Sequence, residues 1–267
     1  MLPNVTARGE QTAYEASMAV QIRGLAKRFG AVVAVDGVDL DVRRGSFFGL
    51  VGPNGAGKTT TLAMVTGLLR PDSGGARVDG IDVWVQPLAA RTRMGVLPEG
   101  LRLFERLSGR ELLTFTGRLR GMAAAEVESR GGQLLDLLGL ADAGNQLVVD
   151  YSTGMRKKVA LAAALLHNPA VLFLDEPFEA VDPVSARTIR DVLSSFTPRG
   201  GTVVFSSHVM ELVERLCDEV AIMARGRVLA TGPIEQLRDG RPLEQVFVDL
   251  VGGGSAGTGS LDWLGQS

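Results

Sequence analysis

An apolar run, Phe47-Phe48-Gly49-Leu50-Val51, passes directly into Gly52-Pro53-Asn54-Gly55-Ala56-Gly57-Lys58-Thr59-Thr60 and then into Thr61-Leu62-Ala63-Met64-Val65. Strand, glycine-rich turn and helix follow one another without a spare residue, and few architectures accept that order. Glycines at 52, 55 and 57 let the backbone bend until successive N–H groups point at one anion. The helix that starts near Lys58 aims its positive dipole end at the same place. The segment satisfies G-x-x-x-x-G-K-[ST], so Lys58 is expected on β/γ-phosphate oxygens and the Thr59 hydroxyl on Mg²⁺. A chance glycine turn between strand and helix is the bland alternative, and the Lys-Thr register after a strand argues against it. The stretch predicts binding of a nucleoside triphosphate.

Further strand-like runs are Val20–Ile22, Val38–Val42, Val171–Leu174, Val203–Ser206, Val220–Met223 and Val228–Thr231. Val171-Leu172-Phe173-Leu174 is apolar at every position, as a strand covered on both faces of a parallel sheet must be. Between about 100 and 150 the pattern becomes helical, with Leu112-Leu113-x-Phe115 and Leu134-Leu135-x-Leu137-Leu138 on helix faces. This organisation predicts an α/β nucleotide-binding core with a helical insertion.

In open parallel sheets, ligands sit beyond the carboxyl ends of the strands. Val171–Leu174 runs into Asp175-Glu176-Pro177, and Val203–Ser207 runs into His208. Next to a phosphate loop, Asp175 is suited to hold Mg²⁺ and Glu176 to polarise a water that attacks the γ-phosphorus. A surface turn closing a strand would explain the same acidic pair taken alone. His208 ends a core strand and could bond a γ-phosphate oxygen or serve structure; His167, in Leu165-Leu166-His167-Asn168-Pro169, reads as a structural helix-end residue. Ser152, in Tyr151-Ser152-Thr153-Gly154-Met155-Arg156, is a good N-cap for a helix running to about His167. With Gly154, it also presents a second helix N-terminus to a phosphate.

Composition narrows the partners. A net charge of −2 carries no global basic field, so nucleic acid is not expected. Cys217 is the only cysteine, so no internal disulfide can form, which fits a reducing compartment. The most apolar stretch, Val159–Leu174, is too short to cross a membrane and is broken by His167-Asn168-Pro169. Residues 1–17 read as a loose tail without an apolar centre, and 251–267 as a flexible Gly/Ser-rich tail.

Taken together, these residues closely resemble the ATP-binding cassette (ABC) ATPases. The family's signature Leu-Ser-Gly-Gly-Gln corresponds to Tyr151-Ser152-Thr153-Gly154-Met155, Asp175 follows Ser152 by 23 positions, and His208 follows Glu176 by 32. Asp182 falls at the D-loop, and Phe29, in Lys27-Arg28-Phe29-Gly30, at the adenine-stacking loop. The resemblance covers about residues 18–250 and implies a P-loop NTPase (RecA-like) core at 18–99 and 150–232, with an antiparallel β subdomain. It also implies a helical subdomain at about 100–149 and a short extension at 233–250. ATP would bind through Phe29, Gly52, Pro53, Asn54, Gly55, Ala56, Gly57, Lys58, Thr59 and Thr60. Mg²⁺ would be held by Thr59, Asp175 and Glu99, with Glu176, His208 and Lys58 catalytic. Ser152, Gly154 and Asp182 would reach the ATP of a second cassette, in a dimer, most simply a homodimer, that closes around two ATP and reopens on hydrolysis.

Departures from the family pattern are informative. Glu99 stands where the Q-loop carries Gln and adds negative charge beside ATP. Met155 and Thr153 replace signature residues, Phe29 replaces the commoner Tyr, and Phe178 stands where Thr is frequent. Val-Leu-Pro-Glu, Tyr-Ser-x-Gly-Met-Arg and Leu107-Ser108-Gly109-Arg110-Glu111 resemble bacterial cassettes serving drug, lipid or polysaccharide exporters. Their permease is often a separate integral-membrane chain, which would place this one on the cytoplasmic face of the membrane. Leu101, Leu103 and Phe104 are candidates either to receive that permease or to pack the helical insertion. A soluble cassette acting on another macromolecule, and a nucleotide-gated module with little turnover, are the alternative readings.

Overall fold

The computed structural model describes residue 14 and residues 16–252, so the two expected tails, 1–17 and 251–267, fall almost wholly outside the described residues. Along the chain come β1 (Met18–Phe29), β2 (Val32–Arg43), β3 (Phe47–Val51), α1 (Lys58–Val65), β4 (Ser73–Val78), β5 (Ile81–Asp82), α2 (Pro87–Arg93) and β6 (Met94–Leu97). Helices α3 (Gly109–Leu119), α4 (Ala124–Leu137) and α5 (Thr153–Leu165) follow without an intervening strand. The remainder is β7 (Val171–Asp175), α6 (Pro183–Phe196), β8 (Thr202–Ser207), α7 (Met210–Leu216), β9 (Glu219–Ala224), β10 (Arg227–Pro233), α8 (Ile234–Arg238) and α9 (Leu243–Val251).

Two sheets result. One is antiparallel with the order β2-β1-β4-β5. The other has the order β10-β9-β3-β8-β7-β6, parallel from β9 to β6, with β10 turned antiparallel at the edge. Every residue of β3, β7, β8 and β9 is buried, which is why their sequences are apolar without alternation. The period of two survives as a division of labour between faces. Phe47, Leu172, Leu174, Val203, Phe205 and Ile222 point into a core shared with α5, α6 and the helical insertion. Their neighbours Phe48, Leu50, Val171, Phe173, Val204 and Met223 point into a second core, closed by α1 and the antiparallel sheet.

The helical insertion has its own start signal. Ser108 accepts from the Glu111 N–H while the Glu111 carboxylate accepts from the Ser108 N–H at 2.8 Å, a reciprocal cap for α3. Leu243 and Val246 of α9 are buried against the main core, so the stretch after β10 is part of the same body. Cys217 is a small buried residue whose sulfur fills the space over Gly49. Phe178 packs its ring edge-on against Phe205 at 6.0 Å, the physical account of an aromatic residue at that position.

Two strands carry almost no sequence signal. β4 reads Ser-Gly-Gly-Ala-Arg-Val and buries only Ala76 and Val78, while β6 is four residues long. At Gly95 in β6, an added Cβ would lie 2.3 Å from the Ala164 carbonyl oxygen of α5, so strand and helix backbones touch there. A Cβ at Gly75 of β4 would meet nothing within 4 Å.

Two predictions follow from this packing. Gly95→Ala should lower unfolding free energy by about 1–3 kcal/mol in urea titration, because a backbone atom cannot give way as a flexible side chain can. Gly75→Ala should change it by less than about 0.5 kcal/mol. The second concerns His167, which sits beyond α5 and donates from Nε2 to the Met94 carbonyl at 3.0 Å. Burial, with Arg120 nearby, pushes its pKa from 6.5 down to about 4. Between those values the unfolded chain binds the proton and the folded chain does not, so the contribution is intact above pH 6.5 and is lost as pH falls toward 4. His167→Gln should flatten the pH dependence of stability in that window, measured by denaturant titration at successive pH values.

Candidate active site

Strands β3, β8, β7 and β6 lie side by side in one direction, so their carboxyl ends share an edge. The register pairs Val51 with Ser207, Asp175 with Ser206 and Leu97 with Leu174. Within two residues of those pairs stand Gly52, His208, Glu176 and Glu99. Hydrogen-bonded sheet geometry alone therefore gathers side chains that are more than 150 residues apart in the chain.

The loop itself folds as a cradle. Gly57 takes φ +103°, and a Cβ there would lie 2.5 Å from the Ala34 carbonyl oxygen, so only glycine fits. The Gly57 carbonyl accepts the first helical bond, from the Thr61 N–H at 2.9 Å. The N–H groups of Lys58, Thr59 and Thr60 are thus the end donors of α1. Lys58 is buried and donates from Nζ to the carbonyl oxygens of Gly52 at 2.8 Å and Pro53 at 3.3 Å. This holds its charge above the loop rather than in solvent.

Facing Lys58 is Glu176. Its Oε1 lies 3.5 Å from Lys58 Nζ and its Oε2 lies 3.1 Å from His208 Nδ1. Oε1 is buried without a hydrogen-bond donor among the described residues. The backbone of Glu176 has φ +46°, an uncommon left-handed conformation for a residue with a side chain. It is held at both ends: the N–H donates to Ser206 Oγ at 2.9 Å, and the carbonyl accepts from Lys157 Nζ at 2.5 Å. The same Ser206 hydroxyl donates to Asp175 Oδ1 at 2.5 Å. Burial raises the Asp175 pKa; the Ser206 and Thr59 hydroxyls oppose that, while Glu99 and Glu176 reinforce it. Thr59 Oγ1 donates to Glu99 Oε2 at 3.0 Å.

Among the described residues, no three His, Cys, Asp or Glu side chains converge as a self-sufficient metal cage. The donor set suits instead a hard cation that arrives with phosphate oxygens and needs only a hydroxyl and one or two carboxylates from the protein. Thr59, Asp175 and Glu99 meet that description. Burial of Asp175 beside Glu99 and Glu176 makes the cluster a favourable place for a cation.

The remaining expected residues lie elsewhere. Phe29 ends β1, half exposed, with the Lys27 ammonium 5.8 Å from its ring centre, and leads into β2, whose Ala34 lines Gly57. Ser152 is exposed and caps α5, accepting from the Met155 N–H at 3.2 Å. Asp182 caps α6, accepting from Val184 and Ser185 N–H at 3.1 and 2.9 Å, and those bonds hold its pKa below the usual carboxylate value. Gly154 is buried against that cap: a Cβ there would lie 2.6 Å from Ser185 Oγ and 2.7 Å from Asp182 Oδ2. Among the described residues, no hydrogen bond or ion pair joins Ser152, Gly154 or Asp182 to Gly52–Thr60. Leu101 and Leu103 are half-buried against the main core, while Phe104 is exposed and stacks edge-on with Phe115 at 4.9 Å.

Sequence reasoning had no place for Ser206 and Lys157. Ser206 becomes visible only when β8 is known to neighbour β7, because its role depends on the Asp175 pairing. Lys157 lies in a signature-helix stretch whose interest was its N-terminus, and its own side chain reaches the Glu176 carbonyl oxygen.

Comparison with known proteins identifies the family. The sequence model of the ABC transporter family matches residues 35–179. Daunorubicin resistance ATP-binding protein DrrA3 of Streptomyces coeruleorubidus is 39% identical over 242 residues, which span 91% of this chain and 77% of the relative. ABC transporter ATP-binding protein NatA of Bacillus subtilis is 38% identical over 80% of this chain and 88% of its own length. A solved structure of an ATP-binding subunit of an ABC transporter superposes with TM-score 0.81 and 29% identity, covering 87% of this chain and 99% of that one. The chain belongs to the ABC transporter family, as one of its ATP-binding subunits, ATPases coupled to transport.

Proposed function

We propose that this chain hydrolyses ATP in a dimer of cassettes and so drives a separate membrane permease, in export of the kind its drug-resistance relatives are named for. The observation that carries the proposal is Glu176, wedged between Lys58 and His208, with one buried carboxylate oxygen left to accept a hydrogen bond. Lys58 and the loop amides bind and orient the β and γ phosphates. Glu176 accepts hydrogen from the attacking water, and His208 fixes the Glu176 carboxylate from the other side. Thr59, Asp175 and Glu99 would hold Mg²⁺, which would supply neutralisation of phosphate charge. The exposed Ser152 helix end, unconnected to the loop of its own subunit, supports a site completed by a second copy. Ligand that binds only the closed dimer stabilises it, and losing the γ-phosphate releases it.

A groove supports the membrane partner. No helix among the described residues is long and apolar enough to cross a membrane, and in this reading the permease supplies the transmembrane path. Between the helical insertion and the β6 edge lies a cavity of about 890 Å³ with Leu68, Leu88, Leu119 and Met122 on its walls and Arg91 and Arg120 among its polar groups. Beneath it, a small cavity of about 60 Å³ shares Thr66, Leu68 and Val96 with the groove and reaches Thr59, Glu99 and Asp175. A cytoplasmic segment of the permease with apolar and acidic residues fits the groove and would lie one packing layer from the nucleotide. In this reading the cassette sits on the cytoplasmic face of the membrane, and the groove joins Leu101, Leu103 and Phe104 as a candidate docking surface.

Glu176→Gln should cut ATP turnover by roughly 10²–10⁴-fold while leaving ATP binding intact. With ATP and Mg²⁺ it should run as a dimer in size-exclusion chromatography. A turnover within twofold of wild type would remove Glu176 as the base and favour a nucleotide-gated module. Arg120→Glu should abolish co-purification with the permease while the isolated chain keeps its ATP affinity. Equal recovery of the permease by both chains would move the docking site off the groove.

A further inference from the structure

Helix α5 carries a stripe, Gly154-Lys157-Leu161, at the spacing that puts side chains on one helix face. Gly154 lies against Asp182 and Ser185 at the start of α6, and Leu161 is fully buried in the main core. Between them, Lys157 extends to the Glu176 carbonyl oxygen at 2.5 Å. The same carbonyl also accepts from the Glu179 N–H at 3.2 Å, closing the turn that follows β7. Glu99, Asp175, Glu176 and Glu179 all bear electrostatically on the Lys157 ammonium, and no other lysine lies in this helix except Lys158. Burial lowers the Lys157 pKa in spite of those carboxylates, a sign of how far the ammonium is drawn out of solvent to reach this place.

Glu176 needs such a restraint. Its backbone is left-handed, a conformation that a residue with a Cβ leaves readily unless neighbours over-determine it. Ser206 holds the N–H side from the sheet, and Lys157 holds the carbonyl side from the helix. The two restraints come from different layers of the molecule. Ser206 is fixed by the β7–β8 register, whereas Lys157 moves with α5. The start of α5 is Ser152, and Arg156, next to Lys157, pairs with Glu105 in the segment after Glu99.

We infer that Lys157 is a positioning residue for Glu176: by donating to its carbonyl it sets the general base's backbone and ties it to the helix that begins at Ser152. The inference rests on Glu176 being the base. A charge-assisted bond from a long flexible stem suits the task, since it tolerates small movements of α5 but transmits larger ones. Displacement of a catalytic group by about 1 Å can cost on the order of 10²-fold in rate.

The test uses the full chain with its permease and compares Lys157→Met, Glu176→Gln and the double variant. Lys157→Met should lower kcat at least tenfold with the KM for ATP within twofold of wild type, and with ATP affinity and Tm unchanged. In the Glu176→Gln background it should cause no further loss in single-turnover hydrolysis, because groups that act as a unit are not additive. A kcat within twofold of wild type, a loss carried by KM, or a further tenfold drop on top of Glu176→Gln would each overturn the inference. Should Lys157→Met fail to fold, Lys157→Gln, neutral but more polar, is judged by the same readings. Failure of the underlying reading is separate: it shows as normal turnover in Glu176→Gln alone, whatever Lys157→Met does.

Discussion

Parallel pairing of β3, β8, β7 and β6 is the constraint on which the rest of this molecule depends. Each strand is buried on both faces, so a one-residue slip would exchange the two cores, sending Phe47 and Leu172 where Phe48 and Phe173 belong. The register is therefore held by the whole apolar content of the sheet. The chemistry inherits that precision. Asp175 opposite Ser206 and Val51 opposite Ser207 are consequences of core packing, yet they decide where Lys58, Glu176 and His208 stand relative to one another. Few site residues have to be held individually, since the strand ends already deliver them to one edge.

Much of this was legible in the linear sequence because it rests on local rules. The glycine loop, the fully apolar strand and the acidic strand end are each confined to a few consecutive residues, and their physics acts within those residues. The helical insertion was legible from the faces of α3 and α4. The less visible parts depend on partners far along the chain. β4 survives with two glycines because it is paired with β1 and has little side-chain work to do. Ser206 looks like any polar residue near a strand end until Asp175 is placed beside it. Lys157 sits among three consecutive cations, Arg156, Lys157 and Lys158, and only the folded position of α5 beside the turn after β7 shows that each has a different errand: Glu105, Glu176 and the buried side of the helix.

Glu176 shows how such a fold stores a demanding geometry. A left-handed backbone at a non-glycine residue costs on the order of 1–3 kcal/mol, and an ionisable side chain buried beside another carboxylate adds to the cost. The compensation is distributed: Lys58 and His208 flank the side chain, and Ser206 and Lys157 flank the backbone. Removing one leaves three, so the arrangement degrades in geometry before it degrades in stability. A catalytic group held in this way can be sensitive to the position of α5 without the fold itself being at risk.

Gly154 carries a related lesson about reading motifs. In the family resemblance, its glycine is explained by close approach to a phosphate of a second cassette. Within this one subunit the residue already has a sufficient reason: Asp182 and Ser185 leave no room for a Cβ. The two reasons are connected. Asp182 caps α6 and Ser152 caps α5, so Gly154 is where two helix N-termini are pressed together, with their positive ends side by side. Asp182 answers that charge from within the chain, and its lowered pKa keeps it ionised to do so. Ser152 contributes only a neutral oxygen and stays exposed. An anion brought to Ser152 from outside would therefore meet a helix end that its own fold has left only half neutralised.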